Sequence, residues 1–180
     1  MDHWGVPHHG KGAAREELIA RRAREEIEFL KGQRPELTAR VEIRPDVIWI
    51  GVNDRTTDLF EGLWPITREG VSYNAYLIDD EKKAIIDLAK AFKGDAFLEQ
   101  IDELIDVGQL DYVIMNHLEP DHGGLLNIIR RIAPDVTLVC SKKASDMLAT
   151  FYKVTENVMV VGDGEELSLG KHTLRFYSTP

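Results

Sequence analysis

Apolar residues recur along this chain with two different periods. Over residues 13–31, Ile19, Ala23, Ile27 and Leu30 fall on one face of a predicted helix, the other positions are largely Arg and Glu, and Gly32 ends it. A mixed-charge surface of this kind is a solvated face, with the narrow apolar stripe left to dock on the domain or on a second subunit. Residues 35–40 read as a linker, and beyond them the period shortens. Residues 41–43 and 47–52 read as short strands broken at Pro45-Asp46. Residues 71–78 read as one apolar strand, 79–81 as a turn and 84–88 as its hairpin partner. Helical spacing returns over 92–105 through Phe97, Ile101, Leu104 and Ile105. Then follow a strand over 112–115, a helix over 125–132 and a strand over 136–140. Ser141 is placed to cap a helix over 142–151. Strands over 158–161, 166–169 and 173–177 close the pattern.

Antiparallel strands come first, and strands alternating with helices follow. That order predicts a layered α/β architecture built on a sheet. The 180 residues suffice for one domain, and 43% hydrophobic content can fill its core. A formal net charge of −9 disfavours phosphate backbones and anionic lipid, so no nucleic-acid or membrane partner is expected. No apolar run approaches the roughly 20 residues of a membrane span, and the polar start carries no signal-peptide pattern. A cytoplasmic location follows as the expectation. The single cysteine, Cys140, ends an apolar strand and reads as a packing residue. His3, His8 and His9 lie in a Gly-rich leader read as disordered.

The chemistry concentrates in Asn116-His117-Leu118-Glu119-Pro120-Asp121-His122-Gly123-Gly124, which directly follows the apolar strand over 112–115. His117, Glu119 and Asp121 stand two residues apart, so in an extended segment they point the same way. His122 adds a fourth donor, and Gly123-Gly124 let the backbone turn into the next helix. One imidazole with two carboxylates suits ions of intermediate hardness such as Fe, Zn or Mn. A lone His-x-Glu on a surface loop is ordinarily just solvated; four donors within six residues are much rarer. Weaker candidates are His172, expected to be exposed, and Asp163 and Glu165, expected in a turn. Asp87 ends an apolar strand and reads as a hairpin-end acid or as a partner to a metal-bound histidine.

The loop resembles the metal motif His-x-His-x-Asp-His of the metallo-β-lactamase superfamily, with Glu119 replacing the second histidine. That form, His-x-Glu-x-Asp-His, is typical of flavodiiron proteins, also called A-type flavoproteins. Gly51-Val-Asn-Asp54, Asp58-Leu-Phe-Glu-Gly-Leu-Trp-Pro-Ile66, Gly70-Val-Ser-Tyr-Asn-Ala-Tyr-Leu-Ile78, Gly164-Glu-Glu-Leu-Ser-Leu-Gly170 and Leu174-Arg-Phe-Tyr177 are similar to further stretches of that family. The likeness runs from about Val41 to Pro180.

The resemblance implies a partial metallo-β-lactamase-like αββα sandwich over residues 41–180, preceded by an extension over 1–40 with one helix. It implies an oxidoreductase that reduces O2 to water or NO to N2O at two Fe ions, with electrons from FMN in a flavodoxin-like domain. It implies a rubredoxin-like or F420-dependent electron donor and a head-to-tail homodimer. His117 and Glu119 would bind one iron and Asp121 the other, with His122 as a fourth candidate and no catalytic residue beyond these ligands. Glu61 stands where some members carry a histidine. The family's later ligands, beginning with a His-Trp-Pro-Asp segment, and its FMN site have no counterpart in these 180 residues. The chain is therefore expected to be a fragment and inactive alone. Two rivals remain: a zinc-dependent hydrolase of the same superfamily, and a non-catalytic truncated remnant.

Overall fold

The computed structural model of the chain describes residues 41–60, 62–68 and 70–179. The helix expected over 13–31, the histidines of the leader and Glu61 lie outside the described residues.

Strands β1 (Val41–Arg44) and β2 (Val47–Trp49) form a tight hairpin turned at Asp46, whose φ of 64° is one that Asp tolerates better than most side chains. β3 (Val52–Asp54) leaves the sheet and pairs with β6 (Val71–Tyr73); between them β4 (Leu59–Phe60) and β5 (Trp64–Pro65) make a small ribbon. The single strand expected over 71–78 is two. After β6 the chain passes to β7 (Tyr76–Ile78), which pairs with β2 on one side and with β8 (Ala84–Ile86) on the other. The break is held where Ile50 N donates to Ala75 O and Trp49 Nε1 donates to Asn74 Oδ1. The expected hairpin between 71–78 and 84–88 is present as β7–β8.

From β8 the direction rule changes. β9 (Tyr112–Ile114), β10 (Thr137–Cys140) and β11 (Val158–Val160) run parallel to β8 and to one another, giving a seven-stranded sheet ordered β1-β2-β7-β8-β9-β10-β11. Parallel neighbours need crossovers, and right-handed crossovers advancing in one direction put every helix on one face. These are α1 (Gly94–Asp102), the short α2 (Pro120–Gly123), α3 (Leu126–Ile132) and α4 (Lys142–Met147). Ser141 caps α4 as expected, its Oγ accepting from Ala144 N. The helix does not stay α-helical to 151: residues Leu148–Tyr152 widen into a π turn, ended by Lys153 at φ 58°.

Strand register explains the core. Leu77, Ile85, Val113 and Leu138 lie side by side on the helix face and are buried, as are Phe97, Ile101, Leu126 and Ile129 from the helices. On the other face, Ile78, Ala84, Ile114 and Val139 pack with Leu169 and with the half-buried Leu167, Leu174 and Phe176. The last four belong to, or border, the hairpin β12 (Glu166–Ser168) and β13 (Thr173–Arg175). Each side chain of the Leu or Ile type buried this way contributes roughly 1.5–3 kcal/mol.

Candidate metal centre

Because β8 and β9 are parallel, their carboxyl ends emerge on the same edge of the sheet. That places Asp87, just after β8, beside the exit of β9. Asp87 adopts φ 55°, and its Oδ1 accepts from Asn116 N at 2.8 Å and His117 N at 3.1 Å. Burial pushes its carboxyl above the ordinary range, against the opposing pull of those N–H donors. Asp87 is thus neither a plain hairpin-end acid nor a partner to an imidazole through its hydrogen bonds. It grips the backbone at the first residues of the loop.

The loop then turns rather than running extended. Leu118 is buried and anchors it. Glu119 keeps an extended backbone (φ −64°, ψ 158°) as the residue before α2, and Pro120 occupies the first helical turn, where its fixed φ suits a helix start. His122 N and Gly123 N both donate to Glu119 O, at 2.9 and 2.7 Å. Asp121 is therefore brought towards His117 by a helical turn, not by the alternation of a strand. Two glycines allow the tight fit. A Cβ on Gly123 would lie 2.5 Å from Tyr152 Oη, and one on Gly124 would lie 2.6 Å from Pro120 O and 2.7 Å from Ala91 N. Tyr152 Oη donates to Leu118 O at 3.0 Å.

His117, Glu119 and Asp121 converge: one ligand atom from each lies within 4.8 Å of the others. His117 Nε2 is 3.7 Å from Glu119 Oε2 and 3.8 Å from Asp121 Oδ1. These separations are too long for hydrogen bonds and suit three donors facing a common point. Asp121 is 7% exposed, yet its Oδ1 has no hydrogen-bond partner. A buried carboxylate oxygen left unpaired is costly unless a cation completes it, so the residues present fit a metal ion. His122 stands outside this trio. Its Nε2 is 3.7 Å from Asp121 Oδ2, its ring meets that of His117 edge-on at 5.4 Å, and its buried Nδ1 has no partner.

The weaker candidates have other work. His172 is half-buried rather than exposed, because its Nδ1 lies 2.8 Å from Asp80 Oδ2. The buried Asp80 also accepts from Glu81 N, Lys171 N and His172 N, which ties the β12–β13 turn to the turn before β8. Burial raises the Asp80 carboxyl, but these donors outweigh it and hold it well below the usual range. Asp163 and Glu165 belong to a turn as expected, accepting from Ser178 N and Gly162 N. Cys140 is buried, and burial pushes its thiol up to about 11. Two acids escaped sequence reasoning, Asp54 and Asp80. Asp54 accepts from Thr56 and Thr57 through both backbone and hydroxyl, and pairs with Lys93 Nζ at 3.1 Å. The sequence Asp54-Arg55-Thr56-Thr57 carries the usual signal of an Asp side chain closing its own turn.

Known proteins share this fold. The family model described as "ODP family beta lactamase" matches residues 71–180. A nitric oxide reductase of Moorella thermoacetica is 33% identical over 141 residues, covering 78% of this chain and 35% of that protein. The flavodiiron protein of Giardia intestinalis superposes with a TM-score of 0.69 at 34% identity, over 79% of this chain and 34% of that one. Rubredoxin oxygen:oxidoreductase of Desulfovibrio gigas superposes with a TM-score of 0.72 at 32% identity, over 77% and 34%. The chain spans about a third of the length of these relatives. The shared sheet, the loop and these matches together place the chain in the flavodiiron family, within its metallo-β-lactamase-like part.

Proposed function

We propose that residues 41–180 form part of a diiron domain that reduces O2 to water or NO to N2O, with residues 1–40 a separate extension. The observation that carries this reading is the convergence of His117, Glu119 and Asp121 around an unpartnered buried oxygen. His117 and Glu119 would hold one iron and Asp121 the other, with His122 as a further donor. A bound iron pair supplies the redox chemistry that no side chain here offers. The chain's own part is to fix geometry: Asp87 holds the backbone at His117, Pro120 sets the turn, and buried Asp121 presents an oxygen stripped of competing donors. The name of the Desulfovibrio gigas relative supports a rubredoxin-type electron supply. FMN in another domain, a rubredoxin-like or F420-dependent donor, a head-to-tail homodimer and a cytoplasmic location complete the proposal. Among the described residues no helix is long and apolar enough to cross a membrane.

Anaerobic titration of the chain with Fe(II), followed by metal analysis, tests the site. We expect stoichiometric iron, lost in His117→Ala, Glu119→Ala and Asp121→Ala. Stoichiometric zinc retained in preference to iron, with hydrolysis of a thioester or lactam, would overturn the proposal in favour of a zinc hydrolase.

A further inference from the structure

The metal loop is held from a third direction by Tyr152, which lies 34 residues beyond Leu118 and belongs to a different helix. The helix that begins at Lys142 changes character at Leu148 and completes a π turn over Leu148–Tyr152. A π turn spends an extra residue per turn, so it re-aims the side chain at its end by roughly a quarter turn relative to an α-helical path. Lys153 at φ 58° then stops the helix, and Val154 N closes it on Leu148 O. π turns inside helices recur at functional sites. Here the widened turn delivers the Tyr152 hydroxyl to the Leu118 carbonyl.

That carbonyl lies in the peptide plane joining Leu118 to Glu119, between two of the three converging donors. Holding its oxygen fixes the torsions on either side of the plane, and with them the direction in which the Glu119 side chain leaves the backbone. Glu119 needs such help, being itself largely exposed with no backbone cap from its own carboxylate. Gly123 points to the same contact from the other side. Its missing Cβ would sit 2.5 Å from Tyr152 Oη and 3.0 Å from Leu118 O, so the hydroxyl enters the space that glycine leaves. Burial pushes the Tyr152 phenol above its ordinary range, which keeps it a donor.

We propose that Tyr152 is a positioning residue of the metal centre, its hydroxyl setting the angle between His117 and Glu119 through the Leu118 carbonyl. The inference rests on the metal reading above. Its test uses Co(II) on the 180-residue chain, with affinity and the visible ligand-field spectrum as readouts, and the melting temperature in chelator as the control for folding. Tyr152→Phe removes one oxygen and leaves the ring in place. We expect Co(II) affinity to fall about 10-fold and the ligand-field bands to shift, with only a small change in the metal-free melting temperature. Gly123→Ala should displace the hydroxyl from the opposite side and reproduce the altered spectrum, and its effect should shrink in a Tyr152→Phe background. If Tyr152→Phe binds Co(II) with wild-type affinity and spectrum, Tyr152 only tethers two elements and the proposal falls. If the wild-type chain binds no Co(II) and His117→Ala changes nothing, the metal reading fails first and takes this one with it.

Discussion

Asp121→Asn should separate the needs of stability from those of metal binding. In the metal-free chain Asp121 is buried, with one carboxylate oxygen unpartnered and the Glu119 carboxylate nearby. Two like charges within 4.8 Å repel by about 1 kcal/mol in a water-like dielectric, and salt reduces this because Glu119 is exposed. Relief of an unsatisfied buried group adds about 1 kcal/mol. The amide keeps the shape, removes the charge and brings an N–H2 that can donate to Glu119. The variant should therefore be more stable than wild type in chelator by about 1–2 kcal/mol, or about 2–8 °C in melting temperature for a chain of this size. With Fe(II) or Co(II) at about 100 times its dissociation constant the order should invert, since wild type gains about 2.7 kcal/mol and the variant gains little. Melts followed by circular dichroism, with chelator and with metal, give both numbers. A variant that melts below wild type in chelator would show that Asp121 is a structural acid satisfied by its surroundings, and would refute the reasoning.

Acid sensitivity should trace to Asp54 and Asp80. For each, burial raises the carboxyl, but the hydrogen bonds from Thr57 and Thr56, or from His172 and Glu81, outweigh it. A folded-state pKa below the unfolded value of about 3.9 means the stabilisation is complete above that pH and drains away below it. Asp54→Asn should therefore lower stability near neutrality and flatten its decline below about pH 4, as read by denaturant melts across pH. Cys140, with its thiol raised to about 11 and buried, should resist alkylation by iodoacetamide at pH 8 until the chain is unfolded; rapid labelling of the folded chain would contradict its place in the core. Gly124→Ala should destabilise by about 1–3 kcal/mol, because its Cβ meets backbone atoms of Pro120 and Ala91 that cannot rotate away, and an unchanged denaturation midpoint would refute that packing.

The sequence made some features legible for identifiable reasons. Ser141 is read as a cap because a cap is a local contact, three residues long. The apolar strands over 112–115 and 136–140 are read because burial on both faces leaves almost every position in them apolar, with Thr137 the exception. The donors of the loop are read because all four fall within six residues. What stayed hidden depends on partners far along the chain. A strand-like pattern over 71–78 does not say that its halves bond to different sheets, which is decided at Ile50 and Trp49. His172 looks exposed until Asp80, 92 positions away, is placed beside it. The spacing of His117, Glu119 and Asp121 predicts that they share a direction but for the wrong reason, because Pro120 starts a helical turn in place of an extended segment. No local signal marks Tyr152, since its partner, the Leu118 carbonyl, lies 34 positions earlier in the chain.

Three of the candidate donors occupy five consecutive positions, His117 to Asp121. Neighbouring torsions keep them close in any compact conformation, while Asp87 and Tyr152, both remote in sequence, set their final angles. A chain still assembling its sheet can therefore hold a cation at this bend only loosely, and the grip tightens as those two segments arrive.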